Sequence, residues 1–251
     1  MNGQYSVLAP FYDKFNESSF DYDRYADMFE HLLGQNGVQK GALLLDLACG
    51  TGKMTIRMLE RGYDTIGVDL SPEMLGVCRD ACAERGYSPL LLCQDMCSLE
   101  LYGTVEGAIC ALDSVNYLTE DGELEHFFKN LKNFISPGGI FLFDVNTRRK
   151  FSEVYADNCY TYDDDGVFCI WQNGFDEKSS LCDFDLTFFV KEKGGLYRRL
   201  EEHQRERSYT KDELYAAARL GDFEPVADFA DTDFTPSDGS EMRTYHLFRR
   251  I

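Results

Sequence analysis

Residues 42–52 read ALLLDLACGTG, a short apolar run that passes into small residues and glycines. An apolar run bounded by glycine is typical of a strand that is buried on both faces of a parallel sheet. Small residues after such a strand let the backbone turn tightly and approach a ligand closely. Lys53–Arg61 can then form a helix, which Gly62 would end. The stretch therefore predicts a strand, a ligand-binding turn and a helix, in that order.

Strand and helix patterns alternate from this point to about residue 146. Apolar runs predict four further strands, at Asp64–Val68, Leu90–Cys93, Gly107–Ala111 and Ile140–Val145. The pair Ser71-Pro72 is typical of a helix start, because serine caps the first turn and proline fits its first position. The alternation predicts an α/β fold with a doubly wound, mostly parallel sheet, and ligands bind such sheets at the carboxyl ends of the strands.

The alternation stops after Asn146, and the residues that follow show the patterns of short strands. Turn sequences at Asp163–Gly166 and Lys193–Gly195 divide these strands. Residues 151–207 are therefore predicted to form an antiparallel β insertion, which we expect to cover the substrate.

The alternation of helix and strand resumes after the insertion. Residues Thr210–Glu213 have the capping-box pattern of a helix start. Two late strands, Val226–Phe229 and Tyr245–Arg249, are predicted to form a hairpin at one edge of the sheet. Residues 1–150 and 208–251 would then make up one ligand-binding domain with an N-terminal helical cap and a seven-stranded sheet.

The sequence of 251 residues is strongly acidic, with 25 lysines and arginines, 44 aspartates and glutamates and a formal net charge of −19. Because phosphate backbones and anionic lipids bind to basic surfaces, we expect no nucleic-acid partner and no membrane. No apolar run is long enough to span a bilayer, and the N-terminus lacks the pattern of a secretory signal. We therefore expect a cytoplasmic protein whose nine cysteines are reduced thiols.

An acidic residue follows the second predicted strand. Asp69 lies seventeen residues after Gly52, and a carboxylate at this point can accept hydrogen bonds from both ribose hydroxyls of a nucleoside. The dinucleotide pattern G-x-G-x-x-G fails because Thr55 stands at the third glycine position, which disfavours a nicotinamide oxidoreductase. The P-loop pattern also fails, because Met54 follows Gly52-Lys53. The sequence thus predicts a nucleoside site of another kind.

The segment Asp46–Gly52 resembles motif I of the class I S-adenosylmethionine-dependent methyltransferases, D/E-x-x-x-G-x-G. Four further segments resemble later motifs of that family in the same order, at Gly67–Leu75, Gln94–Met96, Ala111–Tyr117 and Pro137–Gly139. The pair Tyr12-Asp13 and the β insertion are similar to the branch that acts on small amines and amino sugars. The resemblance implies a Rossmann-like methyltransferase fold, with S-adenosylmethionine as the cofactor of the larger domain.

The resemblance also implies which residues bind the cofactor. They are Tyr12, Asp46, Ala48, Gly50, Gly52, Asp69, Leu70, Asp95, Met96 and Leu112. At the methionine end, Asp46 would face the amino group, the small residues of the loop would bring backbone close, and the Leu112 carbonyl would make a contact. At the adenosine end, Asp69 would bind the ribose and Leu70 would pack on adenine. Asp95 and the backbone N–H of Met96 would bind the adenine edge.

Candidate substrate and catalytic residues lie near these motifs. Asp113, Asn116 and Asn146 stand at or just past the ends of two predicted strands, so we expect them to bind the substrate. Tyr12 would form part of a lid over the sulfonium, and His203 lies in the insertion that would cover the substrate. These two residues are the catalytic candidates.

Four cysteines have a spacing that invites a zinc hypothesis. They are Cys78, Cys82, Cys93 and Cys97. Structural zinc sites usually have C-x2-C pairs rather than the C-x3-C pairs found here, and two cysteines one helical turn apart can simply pack on a sheet. We therefore expect no metal site.

The sequence predicts an S-adenosylmethionine-dependent methyltransferase that acts on a small-molecule acceptor. No residue stands out as a strong general base, which favours an amine or an already ionised acceptor, because a neutral amine needs no deprotonation before attack. A tRNA or protein methyltransferase and a non-catalytic S-adenosylmethionine-binding regulator remain as alternatives. The sequence leaves open whether the protein is a monomer or a homodimer.

Overall fold

The computed structural model describes residue 5 and residues 9–16 and 20–251. Its helices are α1 Ala9–Asn16, α2 Tyr22–Gln35, α3 Lys53–Glu60, α4 Pro72–Glu84, α5 Glu123–Leu131, α6 Arg148–Lys150 and α7 Lys211–Leu220. Its strands are β1 Leu43–Leu47, β2 Asp64–Asp69, β3 Leu90–Cys93, β4 Val105–Cys110, β5 Ile135–Asn146, β6 Cys159–Asp164, β7 Val167–Asp176, β8 Leu181–Lys191, β9 Tyr197–Arg207, β10 Phe223–Phe229 and β11 Arg243–Arg250.

Seven strands form one mixed sheet in the order β10-β11-β5-β4-β1-β2-β3. Neighbours among β1 to β5 pair in parallel, whereas β11 runs antiparallel to both β5 and β10. This arrangement confirms the predicted doubly wound, mostly parallel sheet with a hairpin at one edge. It also places the carboxyl ends of β1, β2 and β4 side by side.

Helices cover both faces of this sheet. On one face an apolar cluster includes Phe128 of α5 and Leu214 of α7, and on the other a second cluster includes Phe29 of α2 and Met58 of α3. Burial of these large side chains removes apolar surface from water, which is the main contribution to the stability of such a layered fold. The strands between the helices are apolar because both of their faces are buried.

The remaining strands form a separate antiparallel sheet in the order β6-β7-β8-β9, within the segment predicted as an insertion. Its buried face carries Phe184 and Phe188 of β8 and packs against Phe151 and against aromatic residues of α1. The rings of Phe11 and Phe188 stack with their centroids 6.1 Å apart. The N-terminal helix therefore lies against the second sheet.

The segment around Pro137 differs from its sequence-based interpretation. The sequence predicts a strand that begins only at Ile140, after the four residues Ser136–Gly139, but α5 ends at Leu131 and β5 already begins at Ile135. The four residues instead bulge out of β5, because Ile135 pairs with Val105 and Ile140 with Gly107. A Cβ atom on Gly139 would lie 2.8 Å from the Glu106 carbonyl oxygen, so the close approach requires glycine.

None of the described helices is both long and apolar enough to cross a membrane. Among the described residues, no group of three or more histidine, cysteine or acidic side chains is arranged to hold a metal ion. Cys78 and Cys82 pack with Cys49 in a small apolar cluster, whereas Cys97 belongs to the main core and Cys93 is exposed.

Candidate active site

A cavity of about 360 Å³ lies at the carboxyl ends of β1, β2 and β4. This volume is within the usual range of small-molecule sites, and the position is the one at which doubly wound sheets bind their ligands. Five of the described residues that line it are acidic, and one, Lys53, is basic. The wall also contains exposed apolar surface and four tyrosines, which are Tyr5, Tyr12, Tyr22 and Tyr117.

The loop between β1 and α3 forms the floor of the cavity. Ala48, Gly50 and Gly52 all have left-handed backbone conformations, with φ of 52°, 54° and 83°. Ala48 and Gly50 line the cavity, and the cofactor contacts that the resemblance implies for them stay predictions. Gly52 lies behind the floor, where a Cβ atom would stand 2.4 Å from the Cys78 sulfur, so it lets α4 pack closely against the loop.

Asp46 is buried at the end of β1 and lines the cavity. Its Oδ2 accepts a hydrogen bond of 2.5 Å from the hydroxyl of Thr55, the residue that stands at the third glycine position of the dinucleotide pattern. Burial raises the pKa of Asp46 to about 7, although the Thr55 hydrogen bond works in the opposite direction. A buried carboxylate of this kind is stabilised in its ionised form when an ammonium group binds beside it.

Asp69 connects the end of β2 to the glycine loop. One carboxylate oxygen accepts a 2.7 Å hydrogen bond from the Gly50 backbone N–H, and the other accepts a 2.9 Å bond from the Ser71 backbone N–H. Burial raises the pKa of Asp69, and these backbone hydrogen bonds oppose the increase. A carboxylate has about four lone-pair positions, so this one can still accept from ligand hydroxyls.

Beyond Asp69 the cavity is lined by exposed apolar side chains beside Gln94 and Asp95. Leu70 is 59% exposed although it lines the cavity, and Met96 lies half-buried nearby. Asp95 also lines the cavity, and its side chain caps the short turn Met96–Ser98 by accepting from the Cys97 backbone N–H at 2.8 Å. Apolar surface here could cover one face of a purine ring.

Tyr22 and Lys53 are cavity residues that sequence reasoning did not single out. Tyr22 is only 8% exposed, and its buried hydroxyl has no hydrogen-bond partner among the described residues. Lys53 Nζ lies 3.1 Å from Asp13, whose other oxygen accepts a 2.6 Å hydrogen bond from Thr51. An unpaired buried hydroxyl is unfavourable unless a ligand completes its hydrogen bonding. These two donors could bind a carboxylate.

The loop after β4 has an unusual backbone that two distant strands support. Leu112 and Asp113 are both left-handed, with φ of 60° and 55°. Asp144 of β5 accepts their backbone N–H groups at 2.7 and 2.9 Å, and Arg243 of β11 pairs with Asp144 and with Asp113. Leu112 lines the cavity, whereas Asp113 is held in this ion cluster behind the wall. We refer to Asp113, Asp144 and Arg243 as the loop clamp.

Asn116 and Asn146, predicted as substrate ligands, also lie behind the cavity wall. Asn116 is fully buried, and its side chain bonds the backbone of Asn146 and the carbonyl oxygen of Arg207. The side chain of Asn146 accepts a 2.9 Å hydrogen bond from Lys150. Their amides therefore connect β5, β9 and the loop after β4, and the substrate role predicted for Asp113, Asn116 and Asn146 finds no support in their positions.

Three tyrosines build the wall that faces the glycine loop. The ring centroid of Tyr5 lies 5.7 Å from that of Tyr12 and 5.8 Å from that of Tyr117. Burial raises the pKa values of all three phenols, so they are neutral at pH 7. Tyr12 lines the cavity, and the lid role expected of it stays a prediction. We call these residues the tyrosine wall.

His203 does not reach the cavity. On β9 the side chains of Glu202, Gln204 and Glu206 face the buried side of the second sheet, whereas His203 between them is exposed. The His203 ring lies 2.9 Å from Asp185 and 3.3 Å from Asp183 on the outer face. Because neighbouring residues of a strand point to opposite faces, the catalytic role predicted for His203 is not supported by its position.

The sheet order, the glycine loop and the acid at the end of β2 define a nucleoside-binding enzyme of the class I methyltransferase type. Residues 44–139 match the family described as a methyltransferase domain. The chain is 34% identical over 243 residues to the putative methyltransferase YqeM of Bacillus subtilis (strain 168), an alignment that covers 94% of each protein. Together with the S-adenosylmethionine-dependent methyltransferase described next, this similarity shows that the chain belongs to the S-adenosylmethionine-dependent methyltransferases and uses that cofactor.

Two further similarities describe the relatives of this chain. A crystal structure of an S-adenosylmethionine-dependent methyltransferase from Clostridium acetobutylicum ATCC 824 is 31% identical, has a TM-score of 0.87 and is covered over 98% of both chains. A dTDP-3-amino-3,6-dideoxy-alpha-D-glucopyranose N,N-dimethyltransferase from Streptomyces fradiae is 30% identical over 135 residues, which are 53% of this chain and 51% of that protein.

Proposed function

We propose that this enzyme transfers a methyl group from S-adenosylmethionine to the nitrogen of a small-molecule amine. The observation that carries the proposal is the tyrosine wall, formed by Tyr5, Tyr12 and Tyr117 beside the glycine loop. Aromatic faces attract cations, and the sulfonium of the methyl donor is a cation. The acidic lining of the cavity acts in the same direction and disfavours an anionic acceptor.

The cofactor is proposed to lie with its methionine part at the glycine loop. Asp46 would accept hydrogen bonds from the ammonium group, while Tyr22 and Lys53 would donate to the carboxylate. This arrangement satisfies the Tyr22 hydroxyl, which otherwise has no partner among the described residues. At the other end, Asp69 would bind the ribose hydroxyls, and Leu70, Asp95 and Met96 would contact adenine.

The residues of the site act mainly by positioning. The bound cofactor supplies a methyl group on a positively charged sulfur; an amine nitrogen can attack the methyl carbon, and the carbon–sulfur bond breaks to leave the neutral thioether of S-adenosylhomocysteine. Holding the nitrogen in line with that methyl group supplies much of the rate enhancement. The phenols of the tyrosine wall stay neutral and exclude water, and the ammonium product can lose its proton after transfer. No buried base is needed in this scheme.

The similarity to the Streptomyces fradiae N,N-dimethyltransferase supports a nitrogen acceptor, because that protein is named for methylating an amino sugar. The alternative of an RNA substrate has less support. The arginines of β9 that could form a basic patch are paired with acids: Arg198 with Glu192, Arg199 with Glu201, Arg205 with Asp183 and Arg207 with Asp121. Ion-paired arginines contribute little to binding phosphate.

The proposal is tested by measuring S-adenosylhomocysteine formation with matched acceptors. Amines, alcohols and carboxylic acids that share one carbon skeleton are compared, and mass spectrometry identifies the methylated atom. We expect turnover with amines, with the methyl group on nitrogen. Turnover with alcohols or acids but not with amines, or methylation of an atom other than nitrogen, would refute the amine proposal.

A further inference from the structure

A chain of hydrogen bonds connects the cavity wall to the second sheet. The hydroxyls of Tyr5 and Tyr117 lie 2.5 Å apart, and the Tyr117 hydroxyl donates to Gln204 Oε1 at 2.9 Å. Gln204 Nε2 donates in turn to Glu202 Oε1 at 2.7 Å. That carboxylate oxygen also accepts a 2.8 Å hydrogen bond from the Tyr5 backbone N–H, which closes the chain into a ring.

The direction of every bond in this ring is determined by Glu202. A carboxylate can only accept, so the Gln204 amide must present its NH2 group to Glu202 and its oxygen to Tyr117. If the amide were turned over, its oxygen would stand 2.7 Å from a carboxylate oxygen. Tyr117 has a single hydroxyl proton and gives it to Gln204. The proton between the two phenols must therefore come from Tyr5.

Tyr5 consequently has no proton left to donate into the cavity. A phenol has one donor and two acceptor positions, and the donor of Tyr5 points to Tyr117. Both rings line the cavity. The Gln204 and Glu202 side chains are 5% and 8% exposed, so water has little access to reverse the chain from behind.

We propose that Tyr5 is a specificity-determining residue whose hydroxyl oxygen acts only as a hydrogen-bond acceptor towards the methyl acceptor. Tyr5 would select groups that donate a hydrogen bond, such as an amine N–H. It would disfavour carboxylates, because their oxygen lone pairs would repel those of the Tyr5 hydroxyl. This inference deepens the proposed function and rests on it. Selection then depends on residues 202 and 204 of the second sheet, although neither lines the cavity.

A binding experiment without turnover tests this inference. The protein is loaded with S-adenosylhomocysteine, and cyclohexylamine and cyclohexanecarboxylate are titrated by calorimetry as probes of similar shape. We expect the wild-type complex to bind the amine at least about tenfold more tightly than the carboxylate, because one favourable hydrogen bond is exchanged for one unfavourable contact.

The decisive variant is Gln204→Met, which removes the acceptor for Tyr117 without changing the net charge. Tyr117 is then free to donate to Tyr5, and Tyr5 can donate into the cavity. Carboxylate affinity should rise and amine affinity fall, so that the affinity ratio decreases severalfold. If Gln204 had a purely structural role, its replacement would weaken the binding of both probes equally and leave the amine-to-carboxylate affinity ratio unchanged. That result would overturn the proposal.

Matched controls separate this effect from misfolding and from failure of the proposed function. Tyr117→Phe should change the ratio in the same direction, whereas Tyr197→Phe makes the same chemical change on an exposed tyrosine of β9 and should leave it unchanged. The melting temperature and S-adenosylhomocysteine affinity show that each variant is folded. A wild-type protein that binds both probes equally would contradict the proposal for Tyr5, while lack of amine methylation alone would contradict only the amine function.

Discussion

At the scale of single residues, Asp46 and Tyr22 are the two buried groups to which we assign the methionine part of the cofactor. Asp46 is a buried carboxylate whose pKa is raised to about 7 by burial, and Tyr22 is a buried phenol without a partner among the described residues. Both features are unfavourable in the empty site and become favourable when a ligand with an ammonium and a carboxylate binds. Cofactor affinity should therefore depend on each residue in a distinct way.

The first prediction concerns the pH dependence of cofactor binding through Asp46. An ammonium ligand needs the ionised carboxylate, so affinity for S-adenosylhomocysteine should rise with pH and level off above about pH 7. Below that pKa the affinity should fall by up to about tenfold per pH unit. Calorimetric titrations between pH 5.5 and 7.5 measure this effect. The variant Asp46→Asn should bind weakly with a flat profile, and an equally steep profile in that variant would exclude Asp46 as the titrating group.

The same residue affects stability with the opposite sign. The folded pKa of Asp46 lies above the ordinary value of 3.8, so the folded state favours the protonated form. The stability of the cofactor-free protein should therefore decrease, through this group, as pH rises from about 4 to above 7. The Asp46→Asn variant should not show this loss of stability with rising pH, and at pH 8 it should melt at a higher temperature than wild type. A lower melting temperature at pH 8 would contradict the assigned direction of the pKa shift.

The second prediction tests the unpaired hydroxyl of Tyr22. Tyr22→Phe should weaken S-adenosylhomocysteine binding by about fivefold to tenfold, the effect of one lost hydrogen bond, with no loss of stability. Affinity for 5′-methylthioadenosine, which lacks the carboxylate, should stay the same. Tyr102→Phe, at a fully exposed position, is the matched control. Equal weakening of both nucleosides would place the Tyr22 hydroxyl away from the methionine part.

At the scale of secondary-structure elements, the loop clamp joins three strands behind the cavity. Asp144 of β5 and Arg243 of β11 hold the left-handed Leu112–Asp113 backbone after β4. Left-handed conformations of residues other than glycine are unfavourable and persist where their surroundings impose them. The clamp therefore maintains the wall of the cavity from a distance.

Removing the cation of the clamp should be strongly destabilising. Arg243→Met leaves two carboxylates in a buried site without their partner, and we expect a decrease of about 3–5 kcal/mol in the free energy of unfolding. Denaturant unfolding at pH 7 measures it. Arg79→Met removes an arginine from an exposed ion pair and should change stability by less than about 1 kcal/mol. Equal effects of the two changes would contradict the structural importance of the clamp.

Sequence patterns were informative where local periodicity determines an element. The capping box at Thr210 and the strand Leu90–Cys93 agree with the structure, because each depends on neighbouring residues alone. The clamp was not predicted, since it joins residues up to 130 positions apart. Tyr22 was not predicted as a site residue, because a tyrosine in the sequence gives no sign of its hydroxyl environment. The alternation of β9 could have predicted its inward residues Glu202, Gln204 and Glu206, with His203 facing outward.

At the scale of the whole molecule, charge and architecture point to the same kind of substrate. The net charge of −19 and the paired arginines of β9 oppose binding to RNA. We therefore expect no salt-dependent binding of tRNA in filter assays at low ionic strength. Binding that weakens steeply with added salt would support a nucleic-acid substrate and contradict the small-molecule proposal.

The second sheet and α1 together position the tyrosine wall. Tyr5 bonds Glu202 of β9 through its backbone, and Phe11 of α1 stacks on Phe188 of β8. We propose that these contacts let the second sheet support the acceptor side of the cavity, although β6 to β9 contribute no lining residue among the described part of the chain. Differences in acceptor preference between relatives should therefore map to this layer.

The cavity at the ends of β1, β2 and β4 is proposed to bind the cofactor with its ribose at Asp69. Calorimetric titration of wild type and Asp69→Ala with S-adenosylhomocysteine, with NAD as the control ligand, tests this proposal most directly. We predict a micromolar dissociation constant for wild type, at least about tenfold weaker binding by a folded Asp69→Ala variant, and no binding of NAD. Unchanged affinity in Asp69→Ala, or binding of NAD in place of the sulfur nucleoside, would contradict the account.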